Sequence, residues 1–231
     1  MYSRTVLVSL QKEIVACTRC LRLVQYRERI AREKRKQYRD EPYWGRPLPG
    51  FGDPKARLVI IGLAPAAHGG NRTGRMFTGD SSGDWLARAL HDAEFANQPT
   101  SRSCNDGLVL RDAYITAAVR CAPPDNRPTR DELAACQGYL ERELALLDRV
   151  RVVVALGKIG FDAYLAVCRT MGVALPRPRP SFGHGAAYPL SNGATLIASY
   201  HPSRQNTQTG RLTASMLRAI FRSARRGITR H

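Results

Sequence analysis

Four short apolar runs constrain the fold of this chain most strongly. They span residues 58–61, 113–119, 151–156 and 194–200, and segments with the spacing of amphipathic helices separate them. Runs that are rich in β-branched residues and poor in charge are typical of strands buried on both faces. Strands that alternate with helices form a parallel sheet covered by helices. The sequence therefore predicts an α/β fold.

The loops after these runs hold most of the unusual residues. Loop 62–83 is rich in Gly and Ala, and loops 120–128 and 200–210 follow the second and fourth runs. In open parallel sheets, ligands bind outside the carboxyl ends of the strands. We therefore expect one site built from these three loops, with one helix capped by Ser82 and another by a Thr129 capping box.

The charge of the chain indicates a polyanionic partner. Its 231 residues include 36 Lys+Arg and 19 Asp+Glu, which gives a formal net charge of +17. Nucleic acid is the usual partner of such a protein, although a high-GC genome also favours Arg over Lys. The basic segment 27–39 contains acids as well, so it fits a solvated helix face and a phosphate-contacting arm equally well.

Other protein classes fit the sequence poorly. No apolar run is long enough to cross a membrane, and the first residues lack the apolar core of a signal peptide. The length suits one domain. We therefore expect residues 1–231 to form a single domain of a monomeric, cytoplasmic, nucleoid-associated protein with no membrane partner.

Four of the six cysteines form a candidate metal or cluster site. Cys17 and Cys20 make a C-x-x-C pair, Cys121 follows the second run, and Cys136 lies in the next helix. Four thiolates could hold a [4Fe–4S] cluster or a zinc ion. The alternative is that Cys121 and Cys136 are ordinary buried cysteines.

Phe77, Asp80 and His201 are the other candidate site residues. Loop 62–83 has neither a G-K-[ST] ending nor a G-x-G-x-x-G pattern, which argues against the usual nucleotide sites. Phe77 is either a core residue or a stacking surface for a flat ring. His201 either caps a turn or donates a hydrogen bond into the site.

Two motifs resemble those of a known family. Residues 62–80, GLAPAAHGGNRTGRMFTGD, resemble the first motif of the family 5 (type B) uracil-DNA glycosylases, and residues 201–203, HPS, resemble the second motif of that superfamily. The resemblance covers nearly the whole chain. It implies a three-layer α/β/α sandwich with a central four-stranded parallel sheet. It also implies a structural [4Fe–4S] cluster on Cys17, Cys20, Cys121 and Cys136.

The resemblance also implies that the substrate is a damaged base flipped out of DNA. Cleavage of the N-glycosidic bond builds positive charge on the sugar and negative charge on the base. Asp80 is predicted to place the attacking water or to stabilise the sugar cation. His201 is predicted to donate to a base carbonyl, and Asn126 to bind the base edge. The predicted substrate-binding residues are Phe77, Leu63, Ala64, Gly69, Gly70, Ser203 and Arg204.

Departures from the related family 4 pattern predict a broad substrate range. Leu63 stands where family 4 has a Glu, Gly69 replaces an acid that would crowd the base, and Ala117 replaces an Asn. A roomy pocket would admit uracil, 5-substituted uracils, hypoxanthine or etheno-cytosine. The two motifs contain no lysine, which favours a monofunctional glycosylase. The alternatives are a non-catalytic damaged-DNA-binding protein and a zinc-stapled nucleotide enzyme.

Overall fold

A six-stranded sheet forms the centre of the computed structural model, which describes residues 2–229 and the side chains of residues 5–229. The strands are β1 (Phe51–Gly52), β2 (Leu58–Gly62), β3 (Ala113–Ala117), β4 (Val152–Leu156), β5 (Ala187–Pro189) and β6 (Thr195–Ser199). Their order across the sheet is β1-β3-β2-β4-β6-β5. Strands β3, β2, β4 and β6 are parallel, and the short edge strands are antiparallel. The predicted central four-stranded parallel sheet is confirmed, and the two edge strands extend it.

Strand β2 shows why the sheet is covered on both faces. All five of its residues are buried. Leu58 and Ile60 belong to one hydrophobic cluster, whereas Val59 and Ile61 belong to another. Because successive side chains of a strand point to opposite faces, an uninterrupted apolar run needs a core on each side.

Helices fill the outer two layers. They are α1 (Tyr2–Val15), α2 (Leu21–Glu33), α3 (Gly70–Thr73), α4 (Ser81–His91), α5 (Arg130–Leu146), α6 (Lys158–Thr170), α7 (Arg204–Gln208) and α8 (Ala214–Thr229). Helices α4 and α8 contribute to the Leu58 cluster, and α5 and α6 contribute to the Val59 cluster. The three-layer α/β/α sandwich is therefore confirmed. No helix of the described chain is long and apolar enough to span a membrane.

The two predicted helix caps have different outcomes. The Thr129 capping box is present, because Thr129 accepts from the Glu132 N–H and Glu132 accepts from the Thr129 N–H. The predicted Ser82 cap is wrong. Asp80 caps α4 instead, with Oδ1 accepting from the Gly83 N–H at 2.9 Å. A carboxylate satisfies an open N–H group and also faces the positive end of the helix dipole.

A buried ion pair fixes the chain just after β3. Arg120 Nη2 donates to Glu143 Oε2 of α5 at 2.6 Å, and both side chains are fully enclosed. Glu143 also accepts from Thr116 Oγ1 and from the Gly50 N–H. A buried charge is tolerated only when it is paired and hydrogen-bonded. This network therefore holds the residue that precedes Cys121, where the second site loop begins.

Candidate active site

Two clefts lie at the carboxyl ends of the parallel strands, and both reach Asp80. The smaller has a volume of about 410 Å³ and is bordered by residues of all three predicted site loops. The larger has a volume of about 670 Å³ and extends along the start of α4. The residues common to both borders are Tyr38, Gly79, Asp80 and Arg204. A carboxylate at the junction of two clefts is well placed to meet a ligand.

Asp80 is held from two sides. Its Oδ1 binds the Gly83 N–H, and a Cβ atom on Gly69 would lie only 2.0 Å from its Oδ2. The free space that Gly69 provides is therefore taken by the Asp80 carboxylate. Burial raises the pKa of Asp80 above its ordinary value, although the N–H groups of Gly83 and Ser82 oppose the rise. A carboxylate with a raised pKa is a stronger base.

Phe77 and His201 lie against each other. Their ring centroids are 5.6 Å apart and their planes differ by 30°. The Phe77 ring also fills the space left by Gly62, where a Cβ atom would lie 2.7 Å from the ring edge. The imidazole thus covers one face of Phe77. A base that stacks on this face must first separate the two rings.

His201 is a neutral imidazole at physiological pH. Burial lowers its pKa to about 4, because a desolvated site disfavours the charged form. Its Nδ1 is buried and has no hydrogen-bond partner among the described residues. Asn206 Nδ2 donates to the His201 carbonyl at 2.8 Å, and Ser203 caps the short helix that carries Asn206. His201 is therefore held by its backbone, while a ring nitrogen remains without a partner.

Three non-glycine residues of the site loops adopt left-handed backbone conformations. The φ angles are 50° at Phe77, 53° at Asp125 and 55° at Asn126. Such conformations cost free energy in residues other than glycine, least in Asn and Asp, and they concentrate at functional sites. Asn126 is exposed and borders the smaller cleft with Asp80. The loop after β3 therefore presents Asn126 from a left-handed turn that its Asp-Asn sequence tolerates.

The other predicted residues lie in three different environments. Arg204 is exposed and borders both clefts. The Leu63 carbonyl accepts from the Val119 N–H at 2.9 Å, and Ala64 packs against the cysteine region. A Cβ atom on Gly70 would meet Leu48 and Pro65 at 3.1 Å, so Gly70 is a packing position.

The smaller cleft is also bordered by residues that the sequence did not single out as site residues, namely Tyr26, Tyr38 and His68, and by Arg35 of the basic segment. Three of them lie in or beside the basic segment 27–39, whose role the sequence left open. The useful signal there is the alternation of Tyr with Arg, because basic patches interleaved with aromatic residues are typical of nucleic-acid contacts. The structure places this segment beside Asp80.

A model of the uracil DNA glycosylase superfamily matches residues 49–225. The chain belongs to this superfamily. A type-5 uracil-DNA glycosylase of Thermus thermophilus is 53% identical over 213 residues, covering 92% of this chain and 94% of that protein. Similar matches occur to type-5 uracil-DNA glycosylases of Mycobacterium leprae, 52% identical over 94% of this chain and 93% of the relative, and of Pyrobaculum aerophilum, 47% identical over 91% and 88%. The predicted family and enzyme class are confirmed.

In this glycosylase, the four candidate cysteines lie where the N-terminal helices meet α5. Cys121 and Cys136 are buried in one cluster, against which Cys20 packs, and Cys17 packs beside Tyr139. Burial raises the pKa of Cys20 and Cys136 and raises the pKa of Cys121 to about 12. Among the described residues, no three His, Cys, Asp or Glu side chains form a group arranged to hold a metal ion.

Two buried arginines adjoin these thiols. Arg27 Nη1 donates to Cys121 Sγ at 3.0 Å, and Arg120 pairs with Glu143 immediately before Cys121. In the described part of the chain, Arg27 Nε, Arg120 Nε and Arg120 Nη1 are buried without a hydrogen-bond partner. Unpaired buried N–H groups are costly and rare. The cysteine region therefore contains buried guanidinium N–H groups that are free to donate hydrogen bonds.

Proposed function

We propose that this glycosylase hydrolyses the N-glycosidic bond of uracil and related bases in DNA and leaves an abasic site. The observation that carries the proposal is the position of Asp80, a desolvated carboxylate where two clefts meet. The net charge of +17 supports DNA as the polyanionic partner. The names of the type-5 relatives support uracil as a substrate base.

The proposed chemistry uses the two sides of the breaking bond. Ionised Asp80 accepts a hydrogen bond from water and takes its proton as the water oxygen bonds to the sugar carbon. The electrons of the N-glycosidic bond leave with the base. A neutral His201 N–H donates to the base carbonyl on which negative charge builds. Asn126 binds the edge of the base, and Arg204 contacts the DNA backbone.

A cleavage assay on duplex DNA with a single uracil tests this function. We expect strand breaks only after alkali, because the two motifs contain no lysine that could form a Schiff base and cut the strand. Strand breaks without alkali would contradict the monofunctional mechanism. Binding without any release of uracil would instead support the alternative, a non-catalytic damaged-DNA-binding protein.

We infer that the substrate range is broad. The smaller cleft is bordered at Ala66 and Ala67 by residues with small side chains. A pocket with such borders has little means to reject an enlarged base. The same assay should therefore detect release of 5-substituted uracils, hypoxanthine and etheno-cytosine. Release of uracil alone would contradict the inference.

We also infer that Cys17, Cys20, Cys121 and Cys136 hold a [4Fe–4S] cluster. Four thiolates are a complete ligand set for such a cluster, and the net negative charge of a thiolate-bound cluster would be partly offset by Arg27, which donates to Cys121 Sγ. The cluster would be a structural clamp that ties the N-terminal helices to α5.

Removal of one ligand tests the cluster. The wild-type protein should contain about four iron atoms per chain and show broad visible absorbance. We expect Cys136→Ser to lose both the iron and the absorbance and to melt at a lower temperature than the wild type. Cys168→Ser is the matched control, because Cys168 is also a buried cysteine but belongs to a different cluster, the one around Val59. It should keep its iron. A colourless wild-type protein that contains zinc would contradict the inference.

A further inference from the structure

Tyr38 occupies an unusual position beside the active site. It ends a 3₁₀ helix, Lys36–Tyr38, in the basic segment, and it borders both clefts that meet at Asp80. Its side chain is half-buried and belongs to none of the hydrophobic clusters of the described chain. Core packing therefore does not account for the position of this aromatic ring on the wall of a cleft.

Arg72 fixes this ring in place. The guanidinium carbon of Arg72 lies 3.9 Å from the centroid of the Tyr38 ring, which is a close cation–π contact. Arg72 and Tyr38 come from distant parts of the sequence, since Arg72 lies in the first motif. The contact therefore fastens the basic segment to the loop that carries Asp80.

The rest of the Arg72 side chain is fully engaged. Its Nε donates to the His68 carbonyl at 2.9 Å, its Nη2 donates to the Gly79 carbonyl at 2.8 Å, and its Nη1 pairs with Glu41. The side chain is only 8% exposed. Arg72 is thus unable to reach a phosphate without breaking these contacts. Its role is to hold other groups.

We propose that Tyr38 is a nucleotide-contacting residue of this glycosylase and that Arg72 is the residue that positions it. The proposal rests on the proposed function, because its ligand is the nucleotide flipped out of the duplex. Every base and sugar offers an apolar face that an aromatic ring can cover, so such a contact binds without selecting a sequence. A ring already fixed by a guanidinium loses little freedom when the nucleotide arrives.

Binding to a duplex with one uncleavable nucleotide, 2′-fluoro-2′-deoxyuridine, tests the proposal. We expect Tyr38→Ala to raise the Kd about ten-fold, the usual order for loss of one aromatic contact to a base. Tyr38→Phe keeps the ring and should bind within about two-fold of the wild type on the same reasoning. Trp44→Ala is the control. The Arg46 guanidinium lies over the Trp44 ring in a similar cation–π contact, but Trp44 borders neither cleft.

The outcomes separate this proposal from the proposed function. A wild-type enzyme that releases uracil, together with a Tyr38→Ala variant that binds the analogue as tightly as the wild type, overturns the role of Tyr38 alone. A wild-type enzyme that releases no uracil overturns the proposed function. A ten-fold loss in Trp44→Ala as well would show that the effect is not specific to the cleft.

The positioning role of Arg72 needs a double-mutant cycle. Arg72→Lys keeps the positive charge but lacks the planar guanidinium that donates to His68, Gly79 and Glu41 at the same time. We expect it to weaken binding of the analogue in the wild-type background and to have little further effect when combined with Tyr38→Ala. Glu41→Gln, which weakens one anchor of Arg72, gives a second cycle if Arg72→Lys does not fold. If the losses of binding free energy in the two single variants add up in the double variant, in whichever cycle has folded variants, the positioning role is overturned.

Discussion

Replacement of Asp80 with asparagine is expected to lower kcat by roughly 10²–10⁴-fold, the usual contribution of a general base, and to raise the melting temperature. The amide has nearly the same shape as the carboxylate but takes no proton from water. Asparagine also caps helices about as well as aspartate, so α4 keeps its bond from the Gly83 N–H. Single-turnover cleavage and thermal melts measure the two effects.

The expected gain in stability follows from the raised pKa of Asp80. The folded protein binds the Asp80 proton more tightly than the unfolded chain does, so ionised Asp80 lowers the free energy of unfolding once the pH exceeds the ordinary aspartate value of 3.8. A neutral amide at this position would remove the penalty. The stabilisation by Asp80→Asn should therefore be largest near neutral pH and should disappear as the pH falls below that value.

The pH dependence of catalysis gives an independent check. Wild-type kcat should fall on the acid side, with a midpoint above 3.8, because the ionised form of Asp80 is the active one. The residual activity of Asp80→Asn should lack this limb. Asp131→Asn is the matched control, since Asp131 is an exposed carboxylate in the first turn of α5. Full activity in Asp80→Asn would mean that Asp80 is only a helix cap.

Replacement of His201 with alanine is expected to lower kcat by roughly 10²–10³-fold, the usual effect of losing one donor to a developing anion. The imidazole is neutral, with a pKa of about 4, so it donates a hydrogen bond without carrying a charge. His201→Gln retains an N–H donor and should recover part of the rate. Single-turnover release of uracil from duplex DNA measures both variants.

The leaving base distinguishes this role from a structural one. A 5-fluorouracil anion is more stable than a uracil anion, so its departure depends less on a hydrogen bond from His201. We therefore expect His201→Ala to impair release of 5-fluorouracil less than release of uracil. Equal losses on the two bases would contradict the role in leaving-group stabilisation and would favour support of the Phe77 ring, on which His201 stacks.

The sequence predicted the central sheet and one helix cap correctly for local reasons. Uncharged β-branched runs such as 152–154 have few alternatives to a strand buried on both faces. Thr129 and Glu132 satisfy each other within one helical turn, so the capping box needs no tertiary contact. The Ser82 prediction failed because α4 begins at Ser81, so that Asp80 holds the N-cap position and accepts from the Gly83 N–H.

The sequence by itself determined the sandwich, the family and the three loops that carry the site, because periodicity and contiguous motifs depend on neighbouring residues. Only the tertiary structure decided the states of the site residues. The raised pKa of Asp80 and the neutral form of His201 come from desolvation by distant segments. The same holds for Gly69, whose free space belongs to Asp80, and for Tyr38, which borders both clefts and lies against the Arg72 guanidinium. Burial and contact between distant segments depend on three-dimensional packing.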